Sequence, residues 1–306
     1  MKKRQIGESD LYVTEMGLGC MSLGKDEKQA RLILETAIEH GINYFDTADL
    51  YDFGLNEEMV GRVLKPYRQN LILATKAGNR WNDEKTSWSW DPSRTYIKQA
   101  VKDSLKRLQT DYIDLYQLHG GTIDDPLDET ISAFEELKKE GYIREYGISS
   151  IRPNVIKEFA NHSSIISVMM QYSLLDRRPE EWMPLLEEHQ ISIIARGPVA
   201  KGLLTEEMLN KASDSIRENG YLDYTYEELE SLLPSIQEKI ASRSMNELAL
   251  QYILSSKAVA AVIPGASSEK QLLENIKAIN SKPLAAEELE LLRSLTKANK
   301  YETHRD

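Results

Sequence analysis

Short apolar runs of strand length alternate along this chain with longer segments whose apolar residues recur at helical spacing. The strand-like runs occupy residues 15–19, 43–47, 71–76, 112–119, 144–149, 167–172, 191–196 and 258–264. They are close to continuously hydrophobic, the pattern of parallel strands covered on both faces. Helical patterns fall near 26–40, 56–65, 93–108, 128–140, 153–160, 180–189, 244–256 and 268–280. Two β-prone pieces at 3–6 and 12–14 flank Gly7-Glu8-Ser9-Asp10, which reads as a hairpin with turn residues at its centre. Three junctions, Glu39-His40-Gly41-Ile42, Lys139-Glu140-Gly141-Tyr142 and Glu188-His189-Gln190-Ile191, repeat one design. A helix ends, twice on a glycine suited to the left-handed cap, and a strand starts at once.

Eight such βα units predict an α/β fold, a (β/α)8 TIM barrel with an N-terminal β-hairpin, long βα loops and an extra C-terminal helix. A doubly wound sheet is the rival, but it calls for Gly-x-Gly-x-x-Gly after its first strand. Gly17-Leu18-Gly19 comes nearest and lacks the third glycine. The long loops are 77–91, which carries Trp81, Trp88 and Trp90, and 197–243, with a further helix near 226–242. Beyond 281 another helical pattern covers 286–299 and a tail runs to Asp306. In a barrel such loops gather at the carboxyl end of the strands, where function concentrates. No Pro-, Gly- or Ser-rich linker divides the chain, so residues 1–306 are expected to form one domain.

Composition narrows the choices. The 306 residues carry a formal charge of −11, and basic residues are scattered among acids, as in Lys138-Lys139-Glu140. Nucleic acid is therefore not an expected partner. A single cysteine, Cys20, allows no internal disulfide and suits a reducing cytoplasm. Met-Lys-Lys-Arg opens the chain with no apolar stretch behind it, unlike a signal peptide. No apolar run approaches the roughly 20 residues of a membrane span. A soluble, cytoplasmic monomer is the expectation.

Four polar residues end or follow apolar runs. Asp46 closes Asn43-Tyr44-Phe45, Tyr51 comes five positions later, Lys76 closes the run at 71–75, and His119 closes the run ending in Leu118. In a barrel, strand ends converge on one mouth. A free phenol titrates near about 10; a lysine cation beside Tyr51 would favour its tyrosinate, and Asp46 would keep that lysine charged despite burial. A neutral His119 could offer an N–H to a carbonyl oxygen. Together these are the parts needed to protonate a carbonyl during hydride transfer. Taken singly the residues have plainer readings: Asp46 and Lys76 as a structural ion pair, Tyr51 as a packing aromatic, Cys20 as a small core residue. His40 and His189 read as helix-end residues, His162 and His304 as surface ones. No cluster has metal-ligand spacing, so no metal is expected.

Asp46-Thr47-Ala48-Asp49-Leu50-Tyr51, with Gly54, Asn56-Glu57 and Gly61 beyond it, resembles the signature of the aldo-keto reductase superfamily. So do Lys76 after its strand, Leu118-His119, Gly147-Ile148-Ser149, Gln171-Tyr172-Ser173, Ile263-Pro264-Gly265-Ala266, Gln271 and Glu274-Asn275, in family order over nearly the whole chain. The resemblance implies NADPH bound in extended form, with Tyr51 as general acid, Asp46 and Lys76 tuning it, and His119 orienting the carbonyl. It implies that Ser149, Ser150 and Gln171 hold the nicotinamide carboxamide, with Gly19, Cys20, Met21 and Asp46 near the ring. Gly197, Pro198, Val199, Ala200, Gly202 and Leu203 would line the pyrophosphate, and the Arg196 guanidinium would either stack beneath the nicotinamide or contact phosphate. Gly265, Ser267, Ser268, Gln271, Glu274 and Asn275 would surround the adenosine, where a helix start favours phosphate. The chain departs from the family at three of these positions: Ser150 replaces a common Asn, Arg196 a common aromatic ring, and Ser267 a common cation, for which Lys270 is a substitute.

The expected activity is NADPH-dependent reduction of an aldehyde or ketone to the alcohol, with Trp81, Trp88, Trp90, Tyr51 and His119 around the small-molecule substrate. Two other readings remain. One is a nucleotide-sensing regulatory subunit with little turnover. The other makes Lys76 a Schiff-base lysine, which leaves the matches at Gln171 and 263–275 unexplained.

Overall fold

The computed structural model describes residues 1–305, apart from the side chain of Lys211; Asp306, the end of the expected tail, lies outside the described residues. Eight parallel strands form one sheet in chain order: Leu18–Gly19, Tyr44–Asp46, Ile72–Ala77, Ile113–Leu118, Ile143–Ser149, Ser167–Gln171, Ser192–Arg196 and Val259–Ile263. Parallel bridges Met16–Val262 and Gly19–Gly265 bring the last strand back beside the first. There Gly17 N–H donates to the Val262 carbonyl and Val262 N–H to that of Glu15, each at 2.9 Å. The result is the (β/α)8 barrel that eight buried, apolar runs predict.

The first strand is shorter than the expected 15–19. Residues 15–17 bond to the last strand instead, and a Cβ on Gly17 would lie 2.5 Å from the Tyr44 ring, so only glycine fits this crowded seam. At the amino end of the barrel, the hairpin of Lys3–Gln5 and Tyr12–Thr14 pairs antiparallel. Its Ile6, Leu11 and Val13 pack with Tyr44, Leu115, Met169 and Ile194 from the strands. The hairpin thus plugs that end, and chemistry is left to the other.

The helices form the outer layer, and several start on side-chain caps. Ser93 opens Arg94–Leu108, while Thr225 and Ser244 form capping boxes with Glu228 and Glu247, each satisfying amides the helix cannot pair internally. The three repeated junctions turn in the left-handed region, at φ 80° for Gly41, 81° for Gly141 and 55° for Gln190. Loop 77–91 contains an unexpected antiparallel hairpin, Asn79–Trp81 with Trp88–Trp90. Loop 197–243 carries Asp214–Asn219 as well as the expected helix, Tyr226–Lys239, and the last helix is Ala286–Leu295. Among the described residues no helix is long and apolar enough to cross a membrane.

Candidate active site

The strand ends bring Asp46, Tyr51, Lys76 and His119 together. Lys76 is fully buried, and its Nζ donates to Asp46 Oδ2 at 2.6 Å, to the Thr47 carbonyl at 2.7 Å and to the Tyr51 hydroxyl at 3.3 Å. All three ammonium donors are therefore assigned. The Tyr51 and His119 rings meet edge to face with centroids 5.9 Å apart. His119 is fixed by its backbone: its N–H donates to the Ala77 carbonyl at 2.7 Å, and Asn79 donates to the His119 carbonyl at 2.9 Å.

Burial works against the Lys76 charge, but the Asp46 carboxylate and the Tyr51 oxygen outweigh it and hold the ammonium above its ordinary value. Burial raises the Asp46 carboxyl, opposed by Lys76 and by an amide hydrogen bond from Gln117. The 2.6 Å contact with a protonated lysine keeps Asp46 ionised. His119 is driven the other way. Burial, then the Lys76 and Arg196 cations, push its imidazole down to about 3, so the ring is neutral and keeps one N–H to offer. Cys20 is fully buried; burial and the Asp46 charge hold its thiol well above the usual range, so it stays an unreactive neutral group.

The turn that carries Tyr51 is strained. Asp52 and Phe53 both adopt left-handed backbone angles, φ 48° and 51°, ahead of Gly54 at 88°, and non-glycine residues rarely sit there. The fold pins this turn from both sides. Phe53 packs edge-on against Trp81 at 6.3 Å. Asn56 accepts from Thr47 and donates to the Cys20 carbonyl, tying the ends of the first two strands together.

The other residues singled out in the sequence fall in two regions. Near the fifth to seventh strand ends, Arg196 donates to Gln171 Oε1 at 3.1 Å, and Gln171 donates to the Tyr221 hydroxyl at 3.3 Å. Ser149 ends the fifth strand, and Ser150 accepts from the Arg152 N–H. In the following loop Gly197, Ala200, Lys201 and Gly202 all have positive φ. Pro198, Ala200 and Leu203 are buried in this loop and Val199 is half-buried. In the second region, Gly265 bridges Gly19, and Ser268 caps the helix Glu269–Ile279. Gln271 accepts from both the amide and the hydroxyl of Ser267. Asn275 accepts from Asn246 at 2.9 Å. Glu274 meets the exposed Lys270 at 3.8 Å. Met21 is 64 % exposed.

The three loop tryptophans part company. Trp81 packs on Phe53 and lies 5.3 Å from the Arg107 guanidinium. Trp90 donates to Asp125, and its ring occupies the space beside Gly78 and Gly120. Trp88 is 55 % exposed. Sequence reasoning missed Gln117, Tyr221 and the Thr47 carbonyl. Gln117 was detectable as an amide in the interior of an apolar strand. Nothing in the composition of loop 197–243 marks Tyr221, whose hydroxyl burial, then Asp176, push up to about 12.

The sequence profile of the Aldo/keto reductase family matches residues 15–297. The chain is 62% identical over 305 residues to "Uncharacterized oxidoreductase YqkF" of Bacillus subtilis (strain 168), covering 100% of both. It is also similar to the structure of aldo-keto reductase AKR11C1 from Bacillus halodurans in its holo form, with 59% identity, full coverage of both chains and a TM-score of 0.95. A more distant relative, 28% identical over 97% of this chain and 99% of its own, is the NADH-specific methylglyoxal reductase of Escherichia coli (strain K12). The chain belongs to the aldo/keto reductase family, oxidoreductases that act on small-molecule carbonyl compounds and use a nicotinamide cofactor.

Proposed function

We propose that this protein reduces an aldehyde or ketone to the alcohol with NADPH, Tyr51 acting as the proton donor. The observation that carries the reading is the Lys76 ammonium, held between the Asp46 carboxylate at 2.6 Å and the Tyr51 hydroxyl at 3.3 Å. As Tyr51 gives its proton to the carbonyl oxygen, negative charge grows on the phenol oxygen next to that cation. A preformed charge in a water-poor site stabilises it without reorganisation. His119, neutral and backbone-anchored, offers its N–H to the same carbonyl oxygen and fixes its direction. Trp81, beside the Tyr51 turn, forms an aromatic wall for the substrate.

The residues present fit a nicotinamide nucleotide. Gln171 holds its amide already oriented by Arg196 and Tyr221 and is suited to the carboxamide, with Ser149 beside it. The left-handed residues between Gly197 and Gly202 shape a tightly turned loop suited to follow the pyrophosphate, with the Ala200 and Gly202 amides paired to the Gly197 and Val199 carbonyls. The start of the helix Glu269–Ile279 supplies amides for the adenosine end, with Ser267, Gln271 and Asn275 around it. When bound, the reduced nucleotide supplies the hydride. Lys270, exposed and only loosely paired with Glu274, is the available cation for a 2′-phosphate and favours NADPH over NADH.

The test is a fluorescence titration with each nucleotide, followed by a carbonyl panel with the preferred one. Tyr51→Phe is expected to bind NADPH as wild type does and to lose carbonyl-dependent oxidation by about 10²–10⁴-fold. Retained turnover removes Tyr51 from the acid role. Tight nucleotide binding with no turnover on any carbonyl returns the protein to the regulatory-subunit reading.

A further inference from the structure

Gln117 stands on the fourth barrel strand, at a level where a barrel interior ordinarily takes branched apolar side chains. It is fully buried. It lies in register with Lys76 on one neighbouring strand and Gly147 on the other. Residues in register on adjacent strands face the same side of a sheet, so Gln117 and Lys76 share the interior layer. Gln117 Nε2 donates to Asp46 Oδ1 at 3.1 Å, while its Oε1 is buried with no partner. Since an ionised carboxylate only accepts, chemistry sets the amide's orientation. An unpartnered buried carbonyl costs free energy that an apolar side chain of equal size would avoid. Fold stability therefore does not account for an amide here.

We propose that Gln117 is a positioning residue, whose amide holds one Asp46 oxygen so that the other stays on Lys76 and the ammonium remains charged and turned toward Tyr51. The inference rests on the proton-donor role proposed for Tyr51. Asp46 Oδ1 accepts from Gln117 and Oδ2 from Lys76, so each oxygen has its own donor. Without the amide, the buried carboxylate loses half of its side-chain donors and its ionised form is disfavoured. Lys76 then loses its counter-charge, gives up its proton more readily, and no longer stabilises negative charge on Tyr51. The other titratable groups that face the pair are the Cys20 thiol from the first strand, Tyr44 from Asp46's own strand, Tyr51, and the His119 ring. The thiol, the Tyr44 phenol and the imidazole are held neutral by burial, so none of them replaces the amide as a source of positive potential.

The experiment uses the full chain, NADPH and 4-nitrobenzaldehyde as the carbonyl probe, with kcat followed from mildly acid to alkaline pH. Gln117→Met keeps the size and removes the donor. It is expected to lower kcat about ten-fold, the loss of a hydrogen bond to a charged group. The alkaline limb of the profile should move down by about one pH unit, with the KM for NADPH unchanged. Wild-type kcat, or a uniform loss with an unmoved limb, overturns the proposal, because a purely structural role predicts no shift. Gln117→Glu decides the matter if the methionine variant does not fold. Two buried carboxyls this close cannot both ionise, so the introduced carboxyl keeps its proton and donates to Asp46 as the amide did. Turnover should persist with the limb at its wild-type position, and a lowered limb or no turnover overturns the proposal. If wild type turns over and Tyr51→Phe does not, while Gln117→Met matches wild type, this inference alone fails. If wild type itself reduces no carbonyl, the proposed function fails and takes this inference with it.

Discussion

Two buried aspartates at opposite ends of the barrel hold basic partners, and they do so differently. Near the amino end, Asp114 accepts from the Leu73 N–H at 2.9 Å and is bridged by Arg68 at 2.7 Å and Arg144 at 3.1 Å. Arg68 spends its remaining donors on Thr110 and on the carbonyls of Leu71 and Tyr112, and its guanidinium lies 4.1 Å from the Tyr112 ring centre. Every partner there is a fixed part of the scaffold. At the carboxyl end, Lys76 spends two donors on the scaffold and the third on a half-buried phenol. Burial and a short ion pair are common to both, so neither identifies a site. What separates them is a donor committed to a group that can itself exchange a proton.

The largest expected contrast comes from breaking each pair. Lys76→Met should lower turnover per folded molecule by about 10²–10⁴-fold, because Tyr51 loses the cation that stabilises its conjugate base. Asp114→Asn should leave kcat and its pH profile unchanged and instead cost about 3–5 kcal/mol of stability, as removing one partner strands buried charge. Steady-state kinetics and denaturant unfolding on both variants check this. A kinetic effect at Asp114, or none at Lys76, erases the distinction.

Much of the carboxyl end was legible because fully buried strands read as apolar runs, and a polar residue closing such a run stands out. Asp46, Lys76 and His119 were visible for that reason. Gln117 also stands out as an amide inside an apolar run, but its role becomes readable only once strand register sets it beside Lys76. Tyr221 reaches Gln171 across 50 residues of sequence, a contact that no local pattern encodes. The hairpin in loop 77–91 lacks a two-residue turn signal. Its turn is held by the Asn82 side chain, which accepts from the Thr86 and Ser87 amides, and by Lys85 at φ 55°. The roles of its tryptophans depended on free space, since Trp90 occupies room left by Gly78 and Gly120.

Acid should also separate the two ends. His119 is pushed from an ordinary 6.5 to about 3 by burial and then by Lys76 and Arg196. The unfolded chain therefore binds a proton at this residue that the folded chain refuses. Stability from this group is fully present above about pH 6.5 and is lost progressively as pH falls toward about 3. His119→Gln should flatten the dependence of unfolding free energy on pH in that window by up to about one proton. An unchanged slope would mean that the imidazole is not the neutral, buried group on which carbonyl orientation depends.

The smallest effect sharpens the amino-end half of the comparison. Arg144 bridges Asp114 at 3.1 Å, but its side chain is 58 % exposed, against 10 % for Arg68. Solvent screens an exposed partner, and ordering a long side chain offsets much of the remaining attraction. Arg144→Ala should therefore cost no more than about 1 kcal/mol, read as a small fall in the denaturant midpoint at constant slope. Arg68 and the Leu73 amide still satisfy Asp114 in that variant. A loss as large as that of Asp114→Asn would mean that Arg144 shares the burden with Arg68, and that exposure is a poor guide to which partner holds this end of the barrel together.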